Sequence, residues 1–287
     1  MLAQVVFIVV YGVSLGMILF LISVGLAVTM GVMRIVNMAH GAFAATGAYL
    51  MTALMTKWGL GLGVAVPTAT IIVALISVGI ERLFYRPIYQ RGELDHVLLT
   101  IGLVFLSIAM LTQLFGPDPI PASLPFWLNT NVTLGPVQLQ VYRLVVIVVG
   151  AIIMLALWTL LNRTMFGVRL RAAVDNNGMA QAVGINVRQV YTAAFALGAG
   201  LAAFGGAVGY GLMPPEPTYA FKYLVLILFV VGLAGEGKIM ECGAIAVIIG
   251  IIDTAARFYI PTTGSYLVYV LAVAWMLYLS RGVFYAR

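Results

Sequence analysis

Long apolar runs without charge alternate along the chain with short polar breaks. The runs cover residues 5–32, 38–56, 62–80, 97–115, 144–161, 190–213, 223–235, 242–252 with an extension to 256, and 265–280. A helix rises about 1.5 Å per residue, so roughly 20 apolar residues cross a hydrocarbon layer ~30 Å thick. Nine candidate spans follow. Run 223–235 is short for a full crossing. Run 38–56 reads either as a span or as a re-entrant or broken element at membrane depth, which is tolerated where protein or a cavity covers it. The pattern predicts an all-α, polytopic transmembrane helical bundle of about eight or nine spans, filling residues 1–287 as a single transmembrane domain.

Composition removes most other classes. Hydrophobic residues make up 63% of the 287 and charged residues 8%, against roughly 25% charged in a soluble domain. Mean hydropathy is +1.10. No room is left for an extramembrane domain of ordinary size, and the bilayer is the expected surroundings. Met1-Leu-Ala-Gln4 lacks a basic leader region and runs into the first apolar segment, which is therefore expected to be retained. The lone Cys242 excludes an intramolecular disulfide, and with two histidines in the chain no metal site is expected.

The net charge of +6 reports loop orientation here, and no nucleic-acid partner is expected. With the N-terminus outside, Arg34, Arg82, Arg86, Arg91, Arg163, Arg169, Arg171, Arg188, Lys238, Arg281 and Arg287 face the cytoplasm. Lys57, Arg143, Lys222 and Arg257 lie outside. Eleven against four satisfies the positive-inside rule. Residues 117–139, with Pro117, Pro119, Pro121, Pro125, Pro136 and Trp127, then form an external loop ordered against the membrane surface. Gly12-x-x-x-Gly16 and Gly205-x-x-x-Gly209 offer small faces for close helix packing. A faint echo joins Val24-Gly-Leu-Ala27 and Gly41-Ala-Phe-Ala44 with Val231-Gly-Leu-Ala234 and Gly243-Ala-Ile-Ala246; transporters are often built from repeated halves.

Four places carry candidate chemistry. Arg34-Ile-Val-Asn-Met-Ala-His-Gly41 interrupts two apolar runs, and Asn37 suits an N-cap. A helix N-terminus at a cavity would present donors to a polar solute; the alternative is a capped turn with His40 bonded to a neighbouring helix. Gly232-Leu-Ala-Gly-Glu-Gly-Lys238 has the spacing of a phosphate-binding loop, but position 239 is Ile where such a loop needs Ser or Thr, and the preceding run is transmembrane. It reads as a turn between helices. Asp253 is an acid inside an apolar run, either facing a solute path or paired with Arg257 one turn on. Glu81, Arg82 and Arg86 read as a helix end with its charged flank. The polar segment 163–188 is longer than most connections and tends on that ground to be functional. Its residues 172–183 suit one or two short surface helices that dock into a groove on a soluble partner. No catalytic constellation is present.

Val168-Arg-Leu-Arg-Ala-Ala-Val-Asp-Asn-Asn-Gly-Met-Ala-Gln-Ala-Val-Gly-Ile-Asn186 and the following Tyr191 to Gly206 resemble the coupling segment and next helix of the branched-chain amino acid ABC permease family. Residues 34–41 resemble its Ile-Asn-Phe-Ala-His-Gly block, with Met38 in place of Phe; Leu98-Leu-Thr-Ile-Gly-Leu103 and 231–244 also resemble its pattern. One departure is Gly178-Met179-Ala180 where the family usually has Glu-Ala-Ala, so a charged contact would be missing or moved. Glu236, Lys238 and Glu241 stand where relatives are mostly small or neutral.

The resemblance implies a permease subunit of an ATP-driven importer in a bacterial or archaeal inner membrane. Its solutes would be branched-chain or other apolar amino acids, with amides, urea and small organic or aromatic acids as alternatives. It implies a second permease, related or identical, two cytoplasmic ATPases that bind ATP and Mg, an extracytoplasmic solute-binding protein, and no cofactor on this chain. Coupling to the ATPases falls on Arg169, Arg171, Asp175, Asn176, Asn177, Gly178, Ala180, Gly184 and Ile185, and the solute path on Asn37, His40, Gly41 and Asp253. A self-sufficient secondary transporter would predict more ionisable groups at mid-membrane, and a membrane enzyme would need convergent acid, base or metal ligands.

Overall fold

The computed structural model describes residues 2–33, 36–89, 91–121, 124–134, 137–235 and 237–284. Arg34, Ile35, Pro136, Glu236 and Arg287, singled out above, lie outside the described residues. Every predicted apolar run is helical: α1 Leu2–Met33, α2 His40–Trp58, α3 Leu62–Ile80, α4 Glu93–Phe115, α5 Val141–Arg163, then the polar α6 Met165–Asp175 and α7 Asn177–Ala182, then α8 Val187–Gly209, α9 Tyr219–Ala234, α10 Ile239–Tyr259 and α11 Gly264–Phe284. Beyond Ile80 the α3 axis continues through a π-turn at Glu81–Tyr85 and a 3-10 turn at Arg86–Ile88.

Among the described residues six helices are long and apolar enough to cross a membrane: Ala3–Met33, Leu62–Ile88, Glu93–Phe115, Val141–Arg163, Val187–Gly209 and Ile239–Tyr259. The expected eight or nine spans are thus helices, but α2, α9 and the apolar stretch Tyr266–Trp275 of α11 fall outside that set. α9 and the α11 stretch are too short, whereas α2 carries His40, Thr46, Thr52, Thr56 and Lys57. The chain is a polytopic all-α membrane protein. Its external loop adds a small ribbon, β1 Asn131–Leu134 paired antiparallel with β2 Val137–Gln140, which leads into α5. The loop is anchored by the fully buried Leu128 and by the Ile120 N–H donating to the Pro215 carbonyl (2.9 Å).

α1 is the centre of the bundle. Residues 18–22 are almost wholly inaccessible, and the helix packs on α10, α8, α5 and α9. Lipid tails are as apolar as leucine, so the packing must come from close backbone approach. Small residues permit it where α1 crosses α10 and α8 and where α8 crosses α2. A methyl group added at Gly250 would stand 2.3 Å from the Gly12 carbonyl oxygen, one at Gly25 would meet the Gly198 carbonyl at 2.2 Å, and one at Gly206 would strike that of Ala44. The internal echo is matched in packing only in part: Gly41 and Gly243 are both closely packed, but Gly25 is pressed against α8 whereas a methyl at its counterpart Gly232 would meet nothing within 4 Å.

Contacts also sort the helix ends. Tyr11, near the start of α1, meets Arg143 at the start of α5, and the Tyr142 hydroxyl donates to the Val208 carbonyl at the end of α8. At the opposite end the Gly237 N–H donates to the Ala27 carbonyl (3.0 Å). α6 leaves α5 by a tight corner in which Gly167 lies on the Leu161 carbonyl. Arg143 and Arg257 therefore share one end of the molecule, and Arg163, Arg169, Arg171 and Lys238 the other, as the charge count requires.

Candidate functional site

The polar segment 163–188 folds into an elbow of two short helices. The Asn176 side chain accepts from the Met179 N–H (2.9 Å) and starts α7. Gly184, at φ +85°, ends it. The Ile185 N–H reaches the Ala180 carbonyl (2.9 Å) and the Gly184 N–H that of Gln181 (3.0 Å), the two bonds of a Schellman stop that favours glycine at the left-handed position. Asn186 then caps α8 through the Gln189 N–H. The coupling candidates divide accordingly. Arg169, Asp175, Asn176, Asn177 and Gly178 are exposed; Ala180 is buried against the core, and Gly184 and Ile185 shape the turn. The Arg171 guanidinium donates back to the Leu161 carbonyl (2.5 Å), closing the end of α5 where a cation is favoured. The elbow also exposes apolar side chains that its own chain does not cover: Met165, Val168, Met179 and Val183 are between 48% and 70% exposed.

Between the elbow and the bundle lies an inner cavity of about 460 Å³. Arg171 and Asp175 of α6 face Lys238 and Glu241 across it, with Val28 of α1 and Trp158 of α5 in the walls. The Gly-rich segment closes its far side. Gly235 (φ +89°) and Gly237 (φ +72°) make the turn, and the Gly237 N–H is committed to α1. The segment is a helix-to-helix turn, as its spelling at Ile239 predicts.

Around the first polar break the side chains are internally satisfied. Asn37 and His40 are 3% and 1% exposed. Asn37 Oδ1 accepts from the Ala39 N–H (3.0 Å) and from the Tyr85 hydroxyl (2.8 Å). It therefore caps a turn just before α2, whose own preceding residue is Ala39, and does not cap α2 directly. His40 Nε2 donates to the Ile22 carbonyl (2.8 Å), about three turns in from the end of α1. The chain thus turns back into the bundle before α2 begins. Gly41 lies on the backbone of Ala220, so the N-terminal ends of α2 and α9 meet inside the protein. None of the three lines the cavities described here. A third, almost wholly apolar cavity of about 290 Å³ lies between α2, α3 and α4.

Asp253 lies in an outer cavity of about 420 Å³ with Arg143 and Arg257. Arg257 Nε donates to Asp253 Oδ2 (2.7 Å), the expected one-turn pair. Asp253 is nonetheless both paired and at a cavity wall, so the two readings of this residue are compatible.

Two residues were not legible as site residues. Arg143 counted only as an external charge, yet it lines the outer cavity. Glu81 read as part of a helix end with its charged flank, yet it is fully buried, accepting from the Tyr89 hydroxyl (2.5 Å) and from the Thr192 hydroxyl of α8 (2.9 Å). A carboxylate taken out of water needs such donors. It joins the inner end of α3 to the helix that follows the elbow. Among the described residues no group of three His, Cys, Asp or Glu side chains could hold a metal ion.

Residues 8–280 match the family model described as branched-chain amino acid transport system / permease component. The chain is 26% identical over 269 residues to the high-affinity branched-chain amino acid transport system permease protein LivH of Escherichia coli (strain K12), covering 88% of this chain and 85% of that one. It is 27% identical over 218 residues to the high-affinity permease protein BraD of Pseudomonas aeruginosa, 71% of each. It is 25% identical over 257 residues to the probable branched-chain amino acid transport permease protein LivH of Methanocaldococcus jannaschii, 85% of this chain and 78% of the relative. No solved structure matches. With nearly its whole length matched, and with a polytopic helical fold to carry the match, the chain belongs to the permease-component family of branched-chain amino acid transport systems.

Proposed function

We propose that the chain is one permease subunit of an ATP-driven importer for branched-chain or other apolar amino acids, set in a bacterial or archaeal inner membrane. Its partners are a second permease, two cytoplasmic ATPases that bind ATP and Mg, and an extracytoplasmic solute-binding protein. The observation that carries this reading is the elbow. Two short helices stand on the basic end of the bundle with apolar side chains exposed and polar groups around them, the composition of a docking surface for a soluble partner. The elbow is tied to the membrane part through Arg171 and the end of α5, so partner motion has a mechanical route to the inner cavity. Nucleotide on the ATPases and the loaded binding protein outside then bias one two-state element from its two faces. Candidate solute-path residues are Asn37, His40, Gly41 and Asp253. Gly41 stands where α2 and α9 meet, Asn37 and His40 stand in the turn that leads there, and Asp253 lines the outer cavity.

The test is Met179→Asp in the co-expressed complex. Met179 is 63% exposed, so the change has little folding cost, and it places an anion in the docking face. Solute-stimulated ATP hydrolysis should fall about tenfold, with the chain still inserted at its normal level. Hydrolysis and uptake at the unsubstituted level would remove the elbow from coupling.

A further inference from the structure

We propose that the outer cavity is a binding site for a zwitterionic apolar amino acid, in which Arg143 takes the carboxylate, Asp253 the ammonium group, and the wall beneath them the side chain. The inference deepens the permease reading and rests on it in one respect, that solute enters from this end of the molecule.

The cavity runs deep. Its lining on α1 extends from Phe7 at the rim to Leu19, about 18 Å along the helix axis. A volume of about 420 Å³ lies within the roughly 300–1,000 Å³ typical of small-molecule sites. Its polar groups are near the mouth and its floor is apolar, with Leu19, Leu226 and Ile249 from three different helices. A ligand with one charged end and one branched hydrocarbon end matches that division.

Arg143 is held in place without being neutralised. Its guanidinium lies 3.8 Å from the Tyr11 ring centroid, and Nη1 donates to the Ser14 hydroxyl (3.2 Å). Its buried Nε has no hydrogen-bond partner, and no carboxylate pairs with it among the described residues. A partly desolvated guanidinium at a cavity wall, with no carboxylate partner and a fixed plane, suits a carboxylate. Asp253 offers the opposite charge in the same cavity. Its Oδ2 is engaged by Arg257, which holds the side chain in position and leaves Oδ1 for an ammonium donor. Two cations and one anion attract a carboxylate on balance, while Asp253 disfavours a solute that is anionic only.

The experiment uses the purified complex of both permeases and both ATPases, without the binding protein or nucleotide, and measures equilibrium binding of tritiated leucine. Competitors are unlabelled leucine, 4-methylpentanoate, which lacks the amine, and 3-methylbutylamine, which lacks the carboxylate. Leucine should compete at least about tenfold better than either fragment, since each fragment leaves one buried charge unpaired. Arg143→Gln should weaken leucine about tenfold or more and erase its advantage over the amine. Asp253→Asn should erase its advantage over the acid. Arg143→Lys, which keeps the charge but not the fork, should bind with intermediate strength and stands in where Arg143→Gln fails to assemble. A structural role alone would weaken all three compounds equally, and that result overturns the site, as does 4-methylpentanoate competing as well as leucine. ATP-driven leucine uptake by the same preparation, with the binding protein added, separates the two levels. Uptake together with unaltered binding by the variants overturns the site and leaves the importer standing; no amino-acid uptake at all overturns the importer.

Discussion

Replacing Gly250 by alanine tests whether the α1–α10 crossing depends on backbone contact. The new methyl carbon would stand 2.3 Å from the Gly12 carbonyl oxygen, 2.5 Å from the Gly16 nitrogen and 2.8 Å from the Gly16 Cα. Ordinary contact for such a carbon begins at 3.4 Å, so the two helices must separate by about 1 Å, because a backbone has no rotamer with which to give way. Overpacking of this kind costs about 1–3 kcal/mol. Separation also loosens the neighbouring contacts of Ile249, Ala246 and Cys242, each atom pair being worth about 0.1–0.2 kcal/mol. The expected total is about 2–4 kcal/mol. The control is Gly79→Ala, in the last turn of α3 before its axis continues into the π-turn, with nothing within 4 Å of the added carbon, where better helix propensity should stabilise by up to about 1 kcal/mol. Unfolding of both variants in mixed micelles by titration with a denaturing detergent, followed by tryptophan fluorescence, gives the difference. Equal stability of the two variants would refute the close-packed crossing.

Asn37→Leu should destabilise by about 2–4 kcal/mol in the same assay, since it orphans the buried Tyr85 hydroxyl and the Ala39 N–H; adding Tyr85→Phe should recover part of the loss, and no recovery would break the proposed pairing. Lys238→Ala should leave nucleotide binding by the purified chain at background, because the Gly237 N–H is spent on the Ala27 carbonyl. Measurable ATP binding by the unsubstituted chain, lost on this change, would overturn the assignment of 232–238 as a turn.

The helices were legible because hydrocarbon imposes a simple rule: a charge-free run of sufficient length must satisfy its own backbone. The elbow was legible for a local reason as well, since Asn176, Gly184 and Asn186 are start and stop signals read over three or four residues. What escaped depends on contacts distant in the chain. Glu81 beside Arg82 and Arg86 looks solvated in any window of sequence, and only Thr192, 111 positions away, together with Tyr89, makes its burial tolerable. Arg143 sits at the edge of a span, where a cation ordinarily reaches for the interface; that it instead stacks on Tyr11 is decided by how α5 leans on α1. The crossing pattern was legible in kind, through glycine spacing, but not in partner. Gly12 and Gly16 share a face, yet sequence does not say that Gly250 comes to meet them.

The inner and outer cavities share three walls. α1, α5 and α10 contribute Leu19, Arg143 and Asp253 outside, and Val28, Trp158 and Glu241 inside. Between the two levels these helices are packed shut, with Met17 against Gly150 and Met154 against Gly243, beside Phe20. Methionine side chains fill that layer, and their unbranched, adaptable shape lets such a layer repack at small cost, whereas the glycine contacts of α1 with α8 and α10 are backbone on backbone and resist separation. The stiff part of the molecule is thus the α1–α8–α10 core. The compliant part is the methionine layer along α5, the helix whose inner end Arg171 fastens to the elbow. α6 packs on α5, α8 and α1, and α7 on α8; of these α5 is the one wall common to both cavities whose contacts with α1 and α10 run through side chains able to rearrange, so a load placed on the elbow would be taken up there and not in the backbone-on-backbone core.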